Sequence, residues 1–369
     1  MVPTLVGDDT PGVAAGDRVL LVRRVGAPAV PPRFAIVAAE HPEDSHREIV
    51  KRVVGLPRER IQISDGDLVI GGKRLRKSVE QWREQRVPLL RAASRLKEAT
   101  CDDGSRRVTF DAASRATLDG SVATHLSDAP WIGLRTPPTD GYEDEMGHFH
   151  PGDHGVEDLE LEVQVELDRD RGVVFLELRE QGDEFVLEVE RTGADGQTTL
   201  RIERNFSELA PGSATGLRAV RAQLHRCAGP RWAPGRPWTI AFRNVDDRLE
   251  VEIEGRSACS PIEITEHHPF LRAADGPAIS PRAAGPRWGC YGSKAQIRRV
   301  ALYRDLHYLP RGRFAVAEPF ELGPEELFVL GDLSGESQDS REFGALRVGQ
   351  VFGRVRAIVS PWARLRWVP

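Results

Sequence analysis

The sequence of 369 residues has no long apolar segment. Its longest apolar runs, at residues 19–22 and 34–39, are far shorter than the ~20 residues of a membrane-spanning helix. The chain already turns acidic at Asp8 and Asp9, so no secretory signal peptide is predicted.

Cysteine and methionine are also scarce, and the chain has no excess of positive charge. The four cysteines are far apart and form no CxxC pair, so neither a zinc ribbon nor a disulfide scaffold is predicted. The 51 basic and 56 acidic residues give a net charge of −5, so no overall basic field attracts nucleic acid. In contrast, 35 glycines and 26 prolines accompany 40% apolar residues, which indicates a folded protein of short strands and turns.

The chain contains three kinds of segment. Residues 1–78 and 309–369 contain short strands between turns and are together long enough for one domain. Residues 79–156 begin with a helical pattern interrupted by a proline and continue without a period, which predicts a helix and an irregular connector. Residues 157–308 alternate apolar and polar side chains, as an antiparallel sandwich does. The predicted fold is mostly β: one domain split by an inserted jelly-roll-like sandwich.

The strand expected at residues 48–54 carries a lysine between two apolar residues. Because side chains alternate along a strand, Ile49, Lys51 and Val53 share one face. Burial of that face would lower the pKa of Lys51 from about 10.4 and make its amine able to accept a proton. The alternative is an edge-strand lysine whose charged end reaches solvent.

The loop at residues 331–341 is dense in hydroxyl and acidic side chains. Aligned as an EF-hand with Asp332 first, it has Ser337 where glycine is required and Phe343 where the bidentate glutamate belongs. A calcium site is therefore not predicted. Such a loop can fix its own shape by side-chain to backbone hydrogen bonds, with Asp339 and Arg341 as a nearby ion pair, and still point a hydroxyl outward.

Four fragments occur in an order that matches a known family. They are Met-x-Pro-Thr-Leu from residue 1, Gly-Asp-x-Val from residue 16, Val-Lys-Arg-Val-Val-Gly-Leu-Pro from residue 50 and Gly-Asp-x-Ser-x-x-Ser-x-Asp-Ser-Arg from residue 331. This order resembles bacterial type I signal peptidase (leader peptidase), a serine–lysine dyad family with a mostly β fold. The resemblance covers residues 1–78 and 315–369.

The resemblance implies a role for each matching position. Lys51 matches the general base, and Ser337 matches the hydroxyl that orients its amine. Supporting positions are Asp332, Asp339, Ser340 and Arg341, and the residues of the substrate groove are Met1, Pro3, Thr4 and Leu5. No metal or cofactor is implied. The expected partners are signal peptides of exported pre-proteins and the membrane surface, with the catalytic domain on the extracytoplasmic side of the cytoplasmic membrane.

Three departures from the family pattern matter. The nucleophilic serine of the family directly precedes the matched methionine, here Met1, so we expect the chain as printed to lack its nucleophile and membrane anchor and not to hydrolyse peptides. Either the chain is truncated at an internal methionine or it is an inactive relative. Leu333 replaces the usual asparagine, and Arg58 replaces the glycine expected after Pro57.

The insertion suggests a second class of function. Residues 238–255 resemble the Trp-x-x-x-Phe-x-Asn-x-Asp-x-x-Leu run of concanavalin-like (laminin-G type) jelly rolls, which implies a possible glycan or peptide ligand. The alternative to a peptidase is thus a non-catalytic pseudopeptidase that presents a lectin-like domain. A soluble self-cleaving repressor relative is a third hypothesis, disfavoured by the long match at residues 50–57.

Two further motifs have simpler interpretations. His148, His150 and His154 could bind a metal, but no carboxylate or cysteine completes the spacing, so a hydrated loop is expected. Near the C-terminus, aromatic and basic residues alternate in a pattern that suits either a membrane interface or a terminal strand packed on the core. They are Trp362, Arg364, Arg366 and Trp367.

Overall fold

The computed structural model describes residues 3–5, 16–23, 29–91, 93–209, 217–233, 235–265 and 285–368. Met1, which was predicted for the substrate groove, lies outside them. The chain divides into two compact units, which we call unit 1 (Met1–Val87 and Leu306–Pro369) and unit 2 (Pro88–Asp305). Strands dominate the described residues, and their pairs are antiparallel, so the prediction of a mostly β fold is confirmed.

The strands and helices fall into three consecutive groups along the chain. The first part of unit 1 contains β1 (Arg18–Arg23), β2 (Ile36–His41), β3 (Asp44–Gly55), β4 (Arg60–Ser64), β5 (Asp67–Ile70), β6 (Lys73–Arg74) and α1 (Val79–Gln85). Then follow β7 (Val87–Leu90), α2 (Ala93–Ala99), β8 (Thr100–Asp102), β9 (Val108–Phe110), β10 (Ala116–Asp119), β11 (Trp131–Leu134), β12 (Tyr142–Glu143), β13 (Phe149–His150), β14 (Leu159–Leu167), β15 (Gly172–Glu180), β16 (Asp183–Arg191), β17 (Thr198–Leu209), β18 (Leu217–Gly229), β19 (Trp238–Asn244), β20 (Arg248–Ile253), β21 (Arg256–Ser257), β22 (Ile262–Glu263), β23 (Arg287–Tyr291) and β24 (Lys294–Arg304). Unit 1 resumes with β25 (Phe320–Glu321), β26 (Glu326–Leu330), α3 (Ser340–Phe343), β27 (Leu346–Arg347), β28 (Val351–Ser360) and β29 (Arg366–Trp367). Within the described ranges, none of these helices has the length and apolar character of a membrane span.

Strand β3 lies inside the larger sheet of unit 1. The sheet has the order β1-β28-β2-β3-β26-β27, with β29 beside β28. Val37 of β2 lies opposite Lys51, and Val329 of β26 lies opposite Val53. A smaller sheet has the order β25-β4-β5-β6. Lys51 is therefore on an interior strand, not on the edge strand of the alternative interpretation.

The alternation of β3 separates two apolar clusters. Ile49 and Val53 belong to one cluster, together with Val329. Val50 packs against the other, which contains Ile36 and residues of β28. Because consecutive side chains point to opposite faces, Lys51 and Arg52 leave the strand on opposite sides.

The end of β3 requires a residue without a side chain. A Cβ at Gly55 would lie 2.7 Å from Cβ of Phe328 and 2.8 Å from Cδ1 of Leu322. Three residues later, Arg58 has a φ of 68°, a left-handed conformation that glycine adopts at lower cost. Arg58, which stands where a glycine was expected, thus keeps the backbone conformation that a glycine would adopt in this turn. Its N–H donates to the carbonyl of Gly323 at 3.1 Å.

Unit 2 is a sandwich of two antiparallel sheets. One has the order β21-β20-β19-β14-β24-β10-β9, with β22 beside β20 and β7 beside β24, and the other has the order β18-β17-β16-β15-β23-β11-β8. Leu161, Val163 and Val165 of β14 are fully buried and share one core with Leu187 and Trp288 of the second sheet. The predicted jelly-roll-like insertion is therefore present.

Residues 79–156 differ from the predicted helix and irregular connector. The helical pattern is divided into α1 and α2 by strand β7, which contains Pro88. Beyond α2, β9 and β10 extend one sheet of unit 2, in which β10 pairs with β24. Strands β8 and β11 extend the other sheet, in which β11 pairs with β23. These strands have only three or four residues, too few to show an alternation of apolar and polar side chains. Turns separate them, such as the turn in which Asp111 accepts two backbone hydrogen bonds.

We predict that unit 1 folds without unit 2, because the apolar clusters described for each unit contain no residue of the other. Replacement of residues 88–305 by a short Gly/Ser linker should give a β-type circular dichroism spectrum and a cooperative thermal transition, since loop-closure entropy depends weakly on loop length. The isolated fragment 88–305 is the matched control. An unfolded or aggregated unit 1 beside a folded unit 2 would contradict this prediction.

Candidate active site

The structure brings Lys51 and Ser337 into direct contact, although 286 positions separate them in sequence. Strand β3 positions the lysine, and the loop between β26 and α3 positions the serine. The Lys51 Nζ donates to the Ser337 Oγ at 2.9 Å, and both side chains are half-buried. This geometry holds the amine in one direction and leaves the pair within reach of solvent.

A glycine makes this contact possible. A Cβ at Gly331 would lie 2.1 Å from the Ser337 Oγ and 3.5 Å from the Lys51 Nζ. The chain therefore approaches the pair where only a hydrogen can be accommodated, and Gly331 is a requirement of the site.

The loop that carries Ser337 is fixed by its own side chains. Asp339 accepts hydrogen bonds from the Gly331 N–H at 3.0 Å and from the Arg341 Nε and Nη2 at 2.9 and 2.7 Å. The Ser334 Oγ accepts from the Arg341 Nη1 at 2.5 Å, and the Ser340 Oγ accepts from the Val329 N–H at 2.9 Å. Ser334, Asp339, Ser340 and Arg341 are all buried, whereas Ser337 is half-buried. The supporting positions are thus assembled around one rigid loop, and the Leu333 substitution leaves these bonds in place.

Sequence reasoning missed the other face of β3. The guanidinium of Arg52 makes a bidentate contact with Asp332, with Nε to Oδ1 at 2.8 Å and Nη2 to Oδ2 at 2.7 Å. Neither side chain is exposed at all. The Thr4 hydroxyl donates to the same carboxylate and accepts from the Arg52 Nη2 at 3.3 Å. The signal that could have shown this pair was the basic residue directly after Lys51, whose side chain must enter the opposite core.

The N-terminal segment is anchored at residues 3–5. Arg364 donates to the carbonyl of Pro3 at 3.2 Å, and Arg366 donates to that of Thr4 at 2.9 Å. The side chain of Leu5 is buried in the apolar cluster with Ile36, so its contacts are with the core. The role of Pro3, Thr4 and Leu5 in substrate binding stays a prediction.

Burial lowers the pKa of Lys51, because the charged amine loses hydration when its face packs against the apolar cluster. The nearby carboxylates of Asp339 and Asp332 act against this effect, while the positive charges of Arg341 and Arg47 reinforce it. The net direction favours a neutral amine, the form that can accept a proton.

The pKa of Asp332 is also lowered. Burial opposes ionisation of its carboxyl, but the charge of Arg52 and the hydrogen bonds from Arg52 and Thr4 stabilise the carboxylate more strongly. The two faces of β3 thus have opposite electrostatics: a stabilised ion pair on one side and a destabilised charge on the other.

Comparisons with known proteins were informative for part of the chain. Residues 3–117 match the family model of signal peptidase, peptidase S26. This match supports a peptidase of the signal peptidase family. It includes Lys51 and Arg52, whereas Ser337 and its loop lie outside the matched residues. No curated protein matches the chain.

Solved structures with a sandwich fold also match. The carbohydrate binding module CBM66 from Bacillus subtilis has 7% identity and a TM-score of 0.26, over 56% of this chain and 92% of that one. The Bacillus licheniformis beta-glucanase has 11% identity and a TM-score of 0.29, over 55% and 83%. The VIP36 exoplasmic/lumenal domain, in a Ca²⁺/Man3GlcNAc-bound form, has 11% identity and a TM-score of 0.32, over 59% and 87%. Similarity at this level carries no information about a ligand.

We predict that Asp332→Asn strongly destabilises the protein, because it leaves the Arg52 guanidinium buried without its counter-charge. Loss of one partner of a buried pair costs about 3–5 kcal/mol, measurable by urea unfolding of the full chain. Asp111→Asn is the matched control, since its pair with Arg115 is exposed (43% of the Asp111 side chain and 58% of the Arg115 side chain) and exposed pairs contribute little to stability. Equal effects of the two substitutions would contradict the prediction.

The lowered pKa of Lys51 predicts a specific pH dependence of stability. Between this lowered value and the ordinary one near 10.5, the unfolded chain binds the proton more tightly, so the free energy of unfolding rises with pH. Below that window the penalty of the buried charge is constant and fully present. Lys51→Met should therefore be at least as stable as the wild type at neutral pH, and its advantage should shrink as the pH approaches about 10.

Chemical denaturation over a pH series measures this difference, with Lys73→Met on exposed β6 as the control. A Lys51→Met variant that is less stable at neutral pH and gains stability relative to the wild type as pH rises would have the wrong sign.

Proposed function

We propose that unit 1 is the catalytic unit of a membrane-associated serine endopeptidase that removes signal peptides from exported pre-proteins. The observation that carries this proposal is the 2.9 Å contact between the Lys51 amine and the Ser337 hydroxyl on a face that disfavours charge. The match of residues 3–117 to the signal peptidase family supports the same class.

In the proposed reaction, neutral Lys51 is the general base. It takes the proton of the serine that the resemblance places directly before Met1, and the serine Oγ forms a bond to the scissile carbonyl carbon. The protonated lysine then gives its proton to the leaving amine as the carbon–nitrogen bond breaks. Water, activated by the same amine, hydrolyses the acyl-enzyme. Ser337 acts by orienting the amine through its hydroxyl oxygen.

The substrate would be an extended peptide with small residues before the scissile bond. Strand addition at the groove edge would supply main-chain hydrogen bonds, and small side chains would fit against the loop that holds Ser337.

An exposed apolar stripe in unit 1 supports a membrane-surface partner. Leu20 of β1 lies opposite Ala357 of β28, and Ala357 lies opposite Trp367 of β29, so side chains of three adjacent strands meet. Leu20 is 45% exposed and Trp367 is 77% exposed, so Trp367 does not pack into the core. Tryptophan side chains favour the membrane interface, where their polar and apolar parts are both solvated. Other exposed apolar side chains in these parts of unit 1 are Val22, Val359, Trp362 and Leu365. On this proposal, the catalytic unit lies at the extracytoplasmic face of the cytoplasmic membrane.

The second candidate, a non-catalytic protein with a glycan ligand, has one observation in its favour. On the outward face of the second sheet of unit 2, the Arg287 Nε and Nη2 donate to the carboxylate of Glu177. The Arg287 Cζ lies 5.5 Å from the ring centroid of Trp131, which is half-buried. An aromatic ring beside fixed charged groups offers a stacking surface and hydrogen-bonding partners, which suits a sugar.

We predict that the protein with one serine added before Met1 cleaves a signal-peptide substrate at the peptide bond that follows its Ala-x-Ala sequence. Expression behind a cleavable tag that leaves this serine provides the material, and the chain without the added serine is the comparison. Lys51→Met should lower turnover by about 10²–10⁴-fold, the usual contribution of a general base. Ser337→Ala should lower it by about tenfold or more, because the amine loses its orienting hydrogen bond.

Lys73→Met is the matched control and should retain full activity. If the chain without the added serine cleaves the peptide, and Lys51→Met abolishes that cleavage, another residue of the chain is the nucleophile. A folded but inactive serine-restored protein that binds oligosaccharides saturably, and loses this binding in Trp131→Ala, would favour the second candidate.

A further inference from the structure

The three histidines of the H-x-H-x3-H motif are located in unit 2, and two of them converge on a carboxylate. Asp144 directly follows the hairpin strand β12, and His148 and His150 lie in the turn and in β13 that come next. The Asp144 Oδ2 is 3.2 Å from the His150 Nε2 and 3.4 Å from the His148 Nδ1. The carboxylate that the linear motif did not reveal is thus that of Asp144, four residues before His148 and six before His150.

The hairpin fixes the orientation of this carboxylate. The Asp144 Oδ1 accepts the backbone N–H groups of Met146 and His148, both at 2.9 Å, so this oxygen is occupied by the turn. The Asp144 N–H donates to the carbonyl of His148 at 2.9 Å and closes the turn. Oδ2 is therefore the oxygen held toward the two imidazoles.

The surroundings hold His150 and the hairpin in place. The ring of His150 stacks on that of Tyr142, with 4.4 Å between centroids and 10° between planes. Buried Glu143, next to Asp144, accepts from the Arg95 Nη1 at 2.6 Å and from the Arg91 N–H at 3.1 Å. These contacts tie the hairpin to the rest of unit 2, and the Arg91 Nη2 also donates to the Asp144 carbonyl at 3.1 Å.

We propose that Asp144, His148 and His150 form a binding site for a divalent transition cation of the Zn²⁺ class. Two imidazoles and one carboxylate are the ligand types of an open zinc site. Bonds of about 2.0–2.1 Å in a tetrahedron put ligand atoms about 3.3 Å apart, close to the two separations measured from Oδ2. Binding of one ion by all three groups requires the side chain of His148, which is 73% exposed, to turn toward His150.

The site has an open side for solvent or a further ligand. The side chain of Asp144 is 22% exposed and that of His150 is 35% exposed, so a bound ion would be accessible from outside. The proposal concerns unit 2 alone and is independent of the peptidase chemistry proposed for unit 1.

His154 provides a matched control within the same motif. Its Nδ1 lies 3.0 Å from the Asp140 Oδ2, and its backbone N–H donates to Oδ1 of the same residue. This pair resembles the proposed site in burial and in chemistry but brings one imidazole to its carboxylate. A histidine–aspartate contact alone should not bind the ion.

The test is a calorimetric titration of the full, untagged and metal-free chain with Zn²⁺. We expect saturable binding of one ion per chain. Asp144→Asn and His150→Ala should each weaken it by about 10- to 100-fold or more, as expected when metal-site contacts are lost. Asp144→Asn keeps an oxygen for the two backbone N–H groups, so its circular dichroism spectrum should match that of the wild type.

His154→Ala should bind Zn²⁺ within about twofold of the wild type, a change smaller than the tenfold step of 1.4 kcal/mol. Co²⁺ in place of Zn²⁺ should give visible absorption bands that disappear in Asp144→Asn. No saturable binding by the wild type, binding that survives Asp144→Asn unchanged, or an equal loss in His154→Ala would each overturn the proposal.

Discussion

The fully buried contact between Arg52 and Asp332 connects three distant parts of the chain. Arg52 belongs to the central strand β3, Asp332 begins the loop that carries Ser337, and the Thr4 hydroxyl attaches the N-terminal segment to the same carboxylate. Isolated charges are costly to bury, and this pair satisfies both by two parallel hydrogen bonds. The register between strand and loop is set by this contact. The distance between Lys51 and Ser337 on the opposite face depends on that register.

The two faces of β3 use burial in opposite ways. On the Arg52 face, a complementary carboxylate compensates the arginine, and both groups keep their charge. On the Lys51 face, the partner at hydrogen-bond distance is a neutral hydroxyl, and the neighbouring charges of both signs partly offset one another. The same loop supplies both partners: Asp332 for the ion pair with Arg52, and Ser337 for Lys51, whose pKa burial lowers. Asp339, Arg341, Ser334 and Ser340 provide that rigidity.

The sequence revealed those features that depend on local alternation or on an ordered set of motifs. The alternation around Ile49, Lys51 and Val53 predicts an apolar face for the lysine, and the fragment from residue 331 identifies the loop that meets it. The catalytic roles of these residues stay predictions. Long-range pairings were missed, because nothing in the order of residues relates Thr4 to Asp332, or Arg52 to either.

Short elements were missed for a different reason. Strands β8 to β11 have three or four residues each and gain their stability from the sheets they join, so their own sequence carries little periodic signal. The contact of Asp144 with His148 and His150 depends on a tight hairpin turn, which brings upstream and downstream residues together at spacings that a linear motif does not anticipate.

The split arrangement of unit 1 also sets an order for folding during synthesis. Strand β28, which lies between β1 and β2, spans Val351–Ser360 and therefore follows the whole of unit 2 in the chain. The part of unit 1 that precedes unit 2 thus leaves the ribosome without the strands that complete its sheet. Unit 2 is synthesised in full before those strands exist and has its own core, so it is free to fold first. During that interval the outer edges of β2 and β3 are unpaired, and exposed strand edges of this kind are where a chaperone would be needed.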